Sequence, residues 1–195
     1  MKKFLFVIAI LISSVGLFAQ NVGDNTIIDY EGYSLKFTVT SVEPAECKVY
    51  CSTHPTTPTE VVIPSSVTIS GMDFSVTSIG YEAFYRCTSL TSIEIPDGVT
   101  SIDGYAFVFC SNLTSIEIPN SVTSIGTRAF WGCSELTSIT VEEGNSVYDS
   151  RNNCNAIIKT KTNTLITGCR NTIIPNSVIS IGDAAFSYCI SLTSI

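Results

Sequence analysis

The chain has 195 residues, of which 45% are apolar and 14% charged, with 12 Gly, 7 Pro and 8 Cys. This composition excludes an intrinsically disordered chain, which needs low hydrophobicity and high net charge, and it excludes a collagen-like sequence. The formal net charge of −7 argues against nucleic acid and anionic membrane surfaces as partners. A folded body with a continuous core is therefore expected.

The N-terminus predicts a secretory signal peptide. Lys2 and Lys3 precede an apolar run from Phe4 to Ile12, and the preferred cleavage position follows Ala19. The run is shorter than the ~18–20 residues that span a bilayer, so we expect no membrane span after signal cleavage. The rest of the chain carries eight basic and seventeen acidic residues, a net charge of −9. The sequence thus predicts an exported protein, either secreted or held at the cell surface.

Three stretches of the chain align without gaps at a spacing of 23 residues. Each contains a Phe, at positions 84, 107 and 130, and a Cys, at positions 87, 110 and 133. Each then continues as Leu-Thr-Ser-Ile, at residues 90–93, 113–116 and 136–139. A fourth copy begins at Ser180 after an interval with ten extra residues. Glycine opens the bend of three copies, where its backbone freedom is a sufficient reason for it: Gly80, Gly126 and Gly182.

The repeats predict a stacked architecture. Alternation in residues 90–95 places Ile93 and Ile95 on one face of a short strand. One such unit cannot bury its apolar face alone, but stacked units can, with their strands paired at ~4.8 Å. Ala106 and Phe107 fall on the inner side of a short helical turn. The sequence therefore predicts an α/β repeat solenoid that is strand-rich, with short helical turns.

Two segments exceed the period, and each predicts a β-hairpin insertion. The first consists of alternating runs on both sides of Gly71. In the second, residues 154–160 and 163–169 flank a possible Lys-Thr tip, which would place Cys154 opposite Cys169. A disulfide between them is then possible in an exported protein. A longer loop would spoil that pairing, because Lys-Thr is a poor two-residue turn.

The pattern Ser-Ile-Gly-x-x-Ala-Phe-x-x-Cys-x-x-Leu-Thr-Ser-Ile-x-Ile-Pro resembles the BspA-like leucine-rich repeat family of bacterial surface and secreted proteins. The resemblance implies leucine-rich repeats of about 23 residues preceded by a small β-rich N-terminal segment. The expected division is a signal peptide at 1–19, a β-rich segment at 20–60 and a solenoid at 61–195 whose last repeat is incomplete. The resemblance also implies a non-enzymatic extracellular recognition or adhesion protein, with an unidentified protein or glycan ligand.

The cysteines and the single histidine suggest no catalytic or metal site. One repeat position holds Cys in four copies and predicts a ladder of buried free thiols, at Cys87, Cys110, Cys133 and Cys189. His54 lies in a Thr/Pro-rich loop; a dyad with Cys51 lacks an orienting group, and a zinc site with Cys47 and Cys51 lacks a fourth ligand. A bridge between Cys47 and Cys51 would need a tight turn and stays open. We expect no cofactor and no enzyme activity.

Two sets of residues are candidates for ligand binding. The first set projects outward from the strands: Ser92, Glu94, Ser115, Glu117, Ser138 and Thr140. Its two glutamates should stack on adjacent rungs, either as a solvated pair or as a place for a cation or basic ligand. The second set is aromatic: Tyr85, Phe109, Trp131 and Tyr188. These side chains either form a contact surface or cover the turns of neighbouring repeats.

The repeat register places Ile195 inside a strand. This predicts that the chain is a piece of a longer protein, or that its open end pairs with a partner, since repeat stacks need a polar terminal cap. The alternative function is accordingly a structural scaffold, the N-terminal fragment of a longer secreted repeat protein whose activity lies downstream.

Overall fold

The structure is a computed structural model that describes residues 21–52 and 59–189. The predicted signal peptide and His54 lie outside these residues. The described chain begins with three antiparallel strands, β1 (Asn25–Tyr30), β2 (Tyr33–Val42) and β3 (Ala45–Cys51). Alternate residues of β2 and β3 are buried. The N-terminal segment is thus rich in strands, while its predicted boundary at residue 60 stays a prediction.

A hairpin lies at the first predicted insertion. It consists of β5 (Ser66–Ile69) and β6 (Met72–Ile79), which pair antiparallel. The two linking residues, Ser70 and Gly71, have φ values of 50° and 84°. Positive φ at both central residues is what a two-residue turn of type I′ requires. The prediction of a hairpin around Gly71 is confirmed.

The repeats continue the sheet of the N-terminal strands. β3 pairs parallel with β6, β6 with β8 (Ser101–Ile102), and β8 with β10 (Ser124–Ile125). Ser78, Ser101 and Ser124 are register partners, one from each 23-residue copy. Residues at the same repeat position therefore lie side by side, and the N-terminal strands form one end of this stack.

A second column of parallel strands carries the Leu-x-x-Ile segments. Its members are β4 (Glu60–Val62), β7 (Ser92–Glu94), β9 (Ser115–Ile118) and β11 (Ser138–Val141). β4 pairs with β7 and β9 pairs with β11, both in parallel. Their inward isoleucines and the leucines before them are buried: Ile93, Ile116 and Ile139, with Leu90, Leu113 and Leu136. The predicted alternation is confirmed in these strands.

The predicted short helical turns are wrong in their backbone geometry. The segments at 81–86, 104–109, 127–132 and 183–188 are hydrogen-bonded turns, and the described residues contain no α-helix. The first three turns also pair with one another, since the Phe84 N–H donates to the Ala106 carbonyl at 2.7 Å and the Phe107 N–H to the Ala129 carbonyl at 2.8 Å. In an α-helix these N–H groups would donate to carbonyls of the same turn of chain, four residues earlier. The turns instead use them to join repeats.

The turns carry a ladder of Phe and Cys into the core. The Phe84 and Phe107 rings stack with centroids 5.2 Å apart, and those of Phe107 and Phe130 are 5.3 Å apart, at interplanar angles of 10° and 4°. The Cys110 thiol donates to the Phe84 carbonyl at 3.1 Å, and the Cys133 thiol to the Phe107 carbonyl at 3.2 Å. Cysteine at this position therefore both fills a small space and bonds to the preceding repeat.

Threonine links the repeats at two further positions. The Thr114 hydroxyl donates to the Thr91 carbonyl at 3.1 Å, and the Thr137 hydroxyl donates to the Thr114 carbonyl at 3.2 Å. The same bond joins Thr123 to Thr100 at 3.3 Å beside the first column of strands. These side chains satisfy main-chain acceptors at the surface of the stack, which explains the recurring Thr-Ser-Ile.

The second insertion also folds into a hairpin. Its strands are β13 (Ala156–Lys159) and β14 (Thr164–Gly168), which lie between β12 (Tyr148–Asp149) and β15 (Ser180–Ile181) in a four-stranded sheet. β15 belongs to the fourth sequence copy and pairs parallel with β14. The insertion therefore supplies the strand on which the fourth copy stacks.

A bulge shifts the register of this hairpin. Lys159 lies opposite Thr164, as the predicted tip requires, but Ile157 lies opposite Thr167. The loop between the strands spans four residues, 160–163, and includes a 3₁₀ turn. Pairing beyond the bulge is therefore one residue out of the predicted register.

This shift separates the two cysteines of the predicted disulfide. The Cys169 thiol donates to the Asn155 carbonyl at 3.3 Å, so it lies beside Asn155 rather than Cys154. A slip of one residue turns a side chain to the other face of a strand. Accordingly, Cys154 and Cys169 pack in two different hydrophobic clusters and are free thiols in the structure. The expected Cys154–Cys169 pairing is not formed.

Candidate binding surfaces

The predicted outward strand residues form one ordered set on the second column of strands. We call this set the strand row: Ser92, Glu94, Ser115, Glu117, Ser138 and Thr140. Glu117 lies directly opposite Thr140 across β9 and β11. The Thr114 N–H donates to the Thr91 carbonyl at 3.1 Å, which sets β9 beside β7 with Glu117 at the level of Glu94. Both glutamates are exposed, so the strand row presents hydroxyl groups and two adjacent carboxylates.

The four predicted aromatic residues pack against one another. We call them the aromatic row: Tyr85, Phe109, Trp131 and Tyr188. Ring centroids are 6.5 Å apart for Tyr85 and Phe109, 4.8 Å for Phe109 and Trp131, and 5.1 Å for Trp131 and Tyr188. The interplanar angles are 68°, 50° and 86°, in the range of the tilted and edge-to-face arrangements that aromatic pairs prefer. All four side chains remain partly exposed.

A glycine makes the aromatic row continuous. Phe109, Gly132 and Tyr188 occupy one turn position in successive copies and have φ values of 59°, 81° and 64°. A Cβ atom at Gly132 would lie 2.5 Å from the Phe109 ring. Without it, the ring of Phe109 extends over residue 132 and meets Tyr188 at 5.7 Å. The four rings therefore form one patch that spans several repeats.

Two arginines border the aromatic row. The Arg86 guanidinium lies 5.2 Å from the ring centroid of Tyr85, and the Arg128 guanidinium lies 5.9 Å from that of Trp131. Arg128 also pairs with Asp183 at 3.2 Å, an ion pair whose carboxylate is mostly exposed. Arg86 forms no ion pair within the described part of the chain. This edge of the molecule thus combines aromatic surface with exposed positive charge.

A cleft of about 410 Å³ lies beside the insertion, lined by residues 141–145 and 148–153. In its wall, Asp149 accepts hydrogen bonds from the Arg151 guanidinium at 2.6 Å and the Thr160 hydroxyl at 2.8 Å. Burial alone would raise the pKa of Asp149, but these hydrogen bonds outweigh it and lower the pKa below its usual 3.8. The carboxylate is therefore charged and already satisfied by its neighbours.

The described residues include no group of three or more His, Cys, Asp or Glu side chains placed to hold a metal ion. Cys47 and Cys51 lie in the continuous strand β3, where a separation of four residues spans ~13 Å, so they cannot bridge each other. Burial raises the pKa of Cys47 and of Cys133 to about 12, which keeps both thiols protonated at neutral pH.

Among the described helices, none is long and apolar enough to cross a membrane.

Comparison with protein families gives a match to the repeats. The family described as BspA type leucine rich repeat region matches in six copies, over residues 65–167 and 162–195. The chain belongs to this family. Its fold is therefore a leucine-rich repeat fold, rich in strands and poor in helix, and a repeat family of this kind is generally non-enzymatic.

Solved structures of bacterial leucine-rich repeat proteins resemble this BspA-type chain. A leucine-rich repeat protein from Bacteroides ovatus is 32% identical with a TM-score of 0.59, and the match covers 81% of this chain and 38% of that one. The pneumococcal vaccine antigen PcpA is 18% identical with a TM-score of 0.40, covering 90% and 70%. The chain thus spans 38% of the length of the Bacteroides ovatus protein. A comparison with curated proteins gives no match.

The sequence analysis named the residues of both rows of this BspA-type chain, but it missed Arg86, Arg128 and Gly132. Arg86 precedes the ladder cysteine of one copy, whereas Arg128 precedes the Ala-Phe pair of another. Because the two arginines occupy different repeat positions, the 23-residue spacing gives no signal that they share a surface. The role of the strand row and of the aromatic row in binding stays a prediction.

Proposed function

We propose that this BspA-type chain is a non-enzymatic extracellular recognition or adhesion module that binds a protein or glycan ligand through a surface of its repeat stack. The observation that carries the proposal is the aromatic row with its two arginines. Trp, Tyr and Arg dominate the energetics of protein interfaces, because they supply contact area and directional polar groups. The four rings pack together and remain partly exposed, so they offer contact area of this kind.

The extracellular location rests on the predicted signal peptide together with membership of the family. An exported protein with a net charge of −9 after signal removal has no attraction to nucleic acid. We further propose a secreted or surface-attached state, with no cofactor and no membrane span beyond the signal.

A scaffold role is the second candidate function. It is favoured by one observation, namely that the match covers 38% of the Bacteroides ovatus protein. Under this proposal the repeats hold or space a further region of a longer secreted protein. Sequencing the gene beyond the codon for Ile195 separates the two, since further repeats favour an adhesin and an unrelated domain favours a scaffold.

A binding screen tests the main proposal. The exported chain is measured by biolayer interferometry against immobilised extracellular-matrix proteins and a glycan array. We expect saturable binding to at least one partner. Absence of binding to every protein and glycan would contradict a recognition role.

A further inference from the structure

We propose that the aromatic row, together with Arg86 and Arg128, is a docking site for an acidic segment of a partner protein. This inference rests on the proposed recognition function and deepens it, because it names the binding surface and the chemistry of the partner. It is carried by the packing of the four rings, by the position of the two guanidinium groups and by the distribution of charge over the described residues.

The rings are held in place before any partner arrives. The turns of the first three copies are bonded to one another, as in the donation from the Phe109 N–H to the Trp131 carbonyl at 2.8 Å. Trp131 is then packed between Phe109 and Tyr188 at 4.8 Å and 5.1 Å. A surface with fixed side chains loses little conformational entropy on binding. The aromatic row is therefore preorganised for contact.

The guanidinium groups have donors available for carboxylates. A guanidinium that lies over an aromatic ring keeps its N–H groups at the edge of its own plane, where they bind a carboxylate in bidentate fashion. Arg86 lies between Tyr85 and Phe109, at 5.2 Å and 5.7 Å from their centroids, and is exposed without an ion pair in the described part of the chain. Arg128 shares its charge with the exposed Asp183.

Charge complementarity selects this surface for an acidic partner. The chain carries a formal net charge of −7, so an acidic ligand is repelled by most of the molecule. The strand row exposes Glu94 and Glu117, and an acidic segment would be repelled there. In the turns that carry the aromatic row, the exposed Glu82 and the paired Asp183 offset the charge of the two arginines, so this surface is near neutral whereas the strand row is negative. An acidic segment is therefore repelled least at the aromatic row, where the exposed Arg86 has no ion pair in the described part of the chain.

The ring geometry favours a protein segment over a glycan. Neighbouring rings meet at 50° to 86°, so they form a ridged surface rather than a flat platform. Side chains of a peptide fit between such rings, and an aromatic residue of the partner can make edge-to-face contacts with them. The expected partner segment therefore contains Asp or Glu beside Tyr or Phe.

Trp131 allows a direct test, because it is the single tryptophan of the chain. The probes are Trp-free peptides of twelve residues that contain Asp, Glu and Tyr, matched peptides with Lys in place of each acid, and heparin as an anionic glycan. We expect the acidic peptides to change Trp131 emission saturably and to bind more weakly in added salt. The Arg86→Gln/Arg128→Gln variant should bind at least about tenfold more weakly. The matched control Lys159→Gln/Lys161→Gln removes two exposed positive charges from the second hairpin and should bind as the wild type does.

The outcomes separate this inference from the proposed function. The inference is overturned if no acidic peptide changes Trp131 emission, if the double arginine variant binds as well as the wild type, or if heparin alone binds. Circular dichroism of each variant confirms that the fold is kept. A chain that binds a matrix protein through the strand row, with loss in Glu94→Gln/Glu117→Gln, would retain the recognition function and refute the docking site.

Discussion

Replacing Gly126 by alanine tests how tightly the repeats approach one another. A Cβ atom at residue 126 would lie 2.3 Å from the Gly104 nitrogen and 2.7 Å from the Asp103 carbonyl carbon. Both are backbone atoms of the preceding copy, so no side chain can rotate to make room. Gly126 does not lie in the left-handed region of φ, and alanine there is not strained by its own backbone. The substitution therefore isolates the contact between repeats.

The size of the effect follows from these distances. Ordinary contacts of a Cβ atom begin near 3.4 Å, so one copy must move by about 1 Å relative to the other. Forced shifts of this kind cost about 1–3 kcal/mol, and rigid backbone places this site at the upper end. Alanine also stabilises the folded protein by about 0.4–1 kcal/mol, because it lowers the conformational entropy of the unfolded chain. We expect Gly126→Ala to lower the free energy of unfolding by about 2 kcal/mol.

Gly104, which lies one position further along the preceding copy, provides a control. At Gly104 the nearest atom to an added Cβ would be the Thr127 carbonyl oxygen at 3.4 Å, which is an ordinary contact. Gly104→Ala should therefore leave the free energy of unfolding within about 1 kcal/mol of the wild type. Urea denaturation followed by circular dichroism measures both variants. Equal stability of Gly126→Ala and Gly104→Ala would refute the reasoning.

Two further variants and one labelling experiment test other parts of the molecule. Phe107→Ala removes the middle ring of the Phe ladder, which is fully buried, and should lower the free energy of unfolding by about 3–5 kcal/mol in urea denaturation; a loss below about 1 kcal/mol would contradict the ladder. The buried Cys133 thiol, with its pKa raised to about 12, should resist iodoacetamide at pH 8.5 until urea unfolds the chain, as read by mass spectrometry; rapid labelling of the folded protein would refute this. Because hydrogen bonds lower the pKa of Asp149, its stabilising contribution is present above pH 3.8 and is lost as pH falls through the lower, folded-state pKa. Asp149→Asn should remove that part of the acid dependence of unfolding, and an unchanged pH profile would contradict it.

The repeat register could be predicted from the sequence because stacking imposes it on every copy. Phe84, Phe107 and Phe130 recur at 23 residues, and the structure places them in one stacked column. The hairpin at Gly71 was equally accessible, since alternating runs on both sides of a glycine have few other solutions. These features depend on local pattern and on identity between copies.

The turn geometry had no such signal. Left-handed φ values recur in the turns at residues that seldom adopt them, such as Glu82, Arg86 and Tyr105. Bonds to the next repeat maintain this geometry in the first turns, and among the left-handed positions of the four turns only Gly132 is a glycine. Likewise, the role of Gly126 is close approach to the neighbouring backbone rather than freedom of its own.

The bulge in the second hairpin was also beyond sequence reasoning. The register near the tip, with Lys159 opposite Thr164, follows from the spacing. The extra residue of β14 that lies between the partners of Ile157 and Ile158 does not. Packing on two hydrophobic clusters determines it, because Cys154 and Cys169 are buried in different ones. A cross-strand disulfide can be predicted only when the pairing register of the two strands is known to within one residue.

Chemical-shift mapping of the bound state tests most directly whether the aromatic row is the recognition surface. The ¹⁵N-labelled chain is titrated with the acidic peptide that binds most tightly in the emission assay. We expect the largest amide shifts at residues 85–86, 108–109, 128–132 and 188, with little change in the strand row. Shifts concentrated at residues 92–94, 115–117 and 138–140 would contradict the assignment and place recognition on the strands.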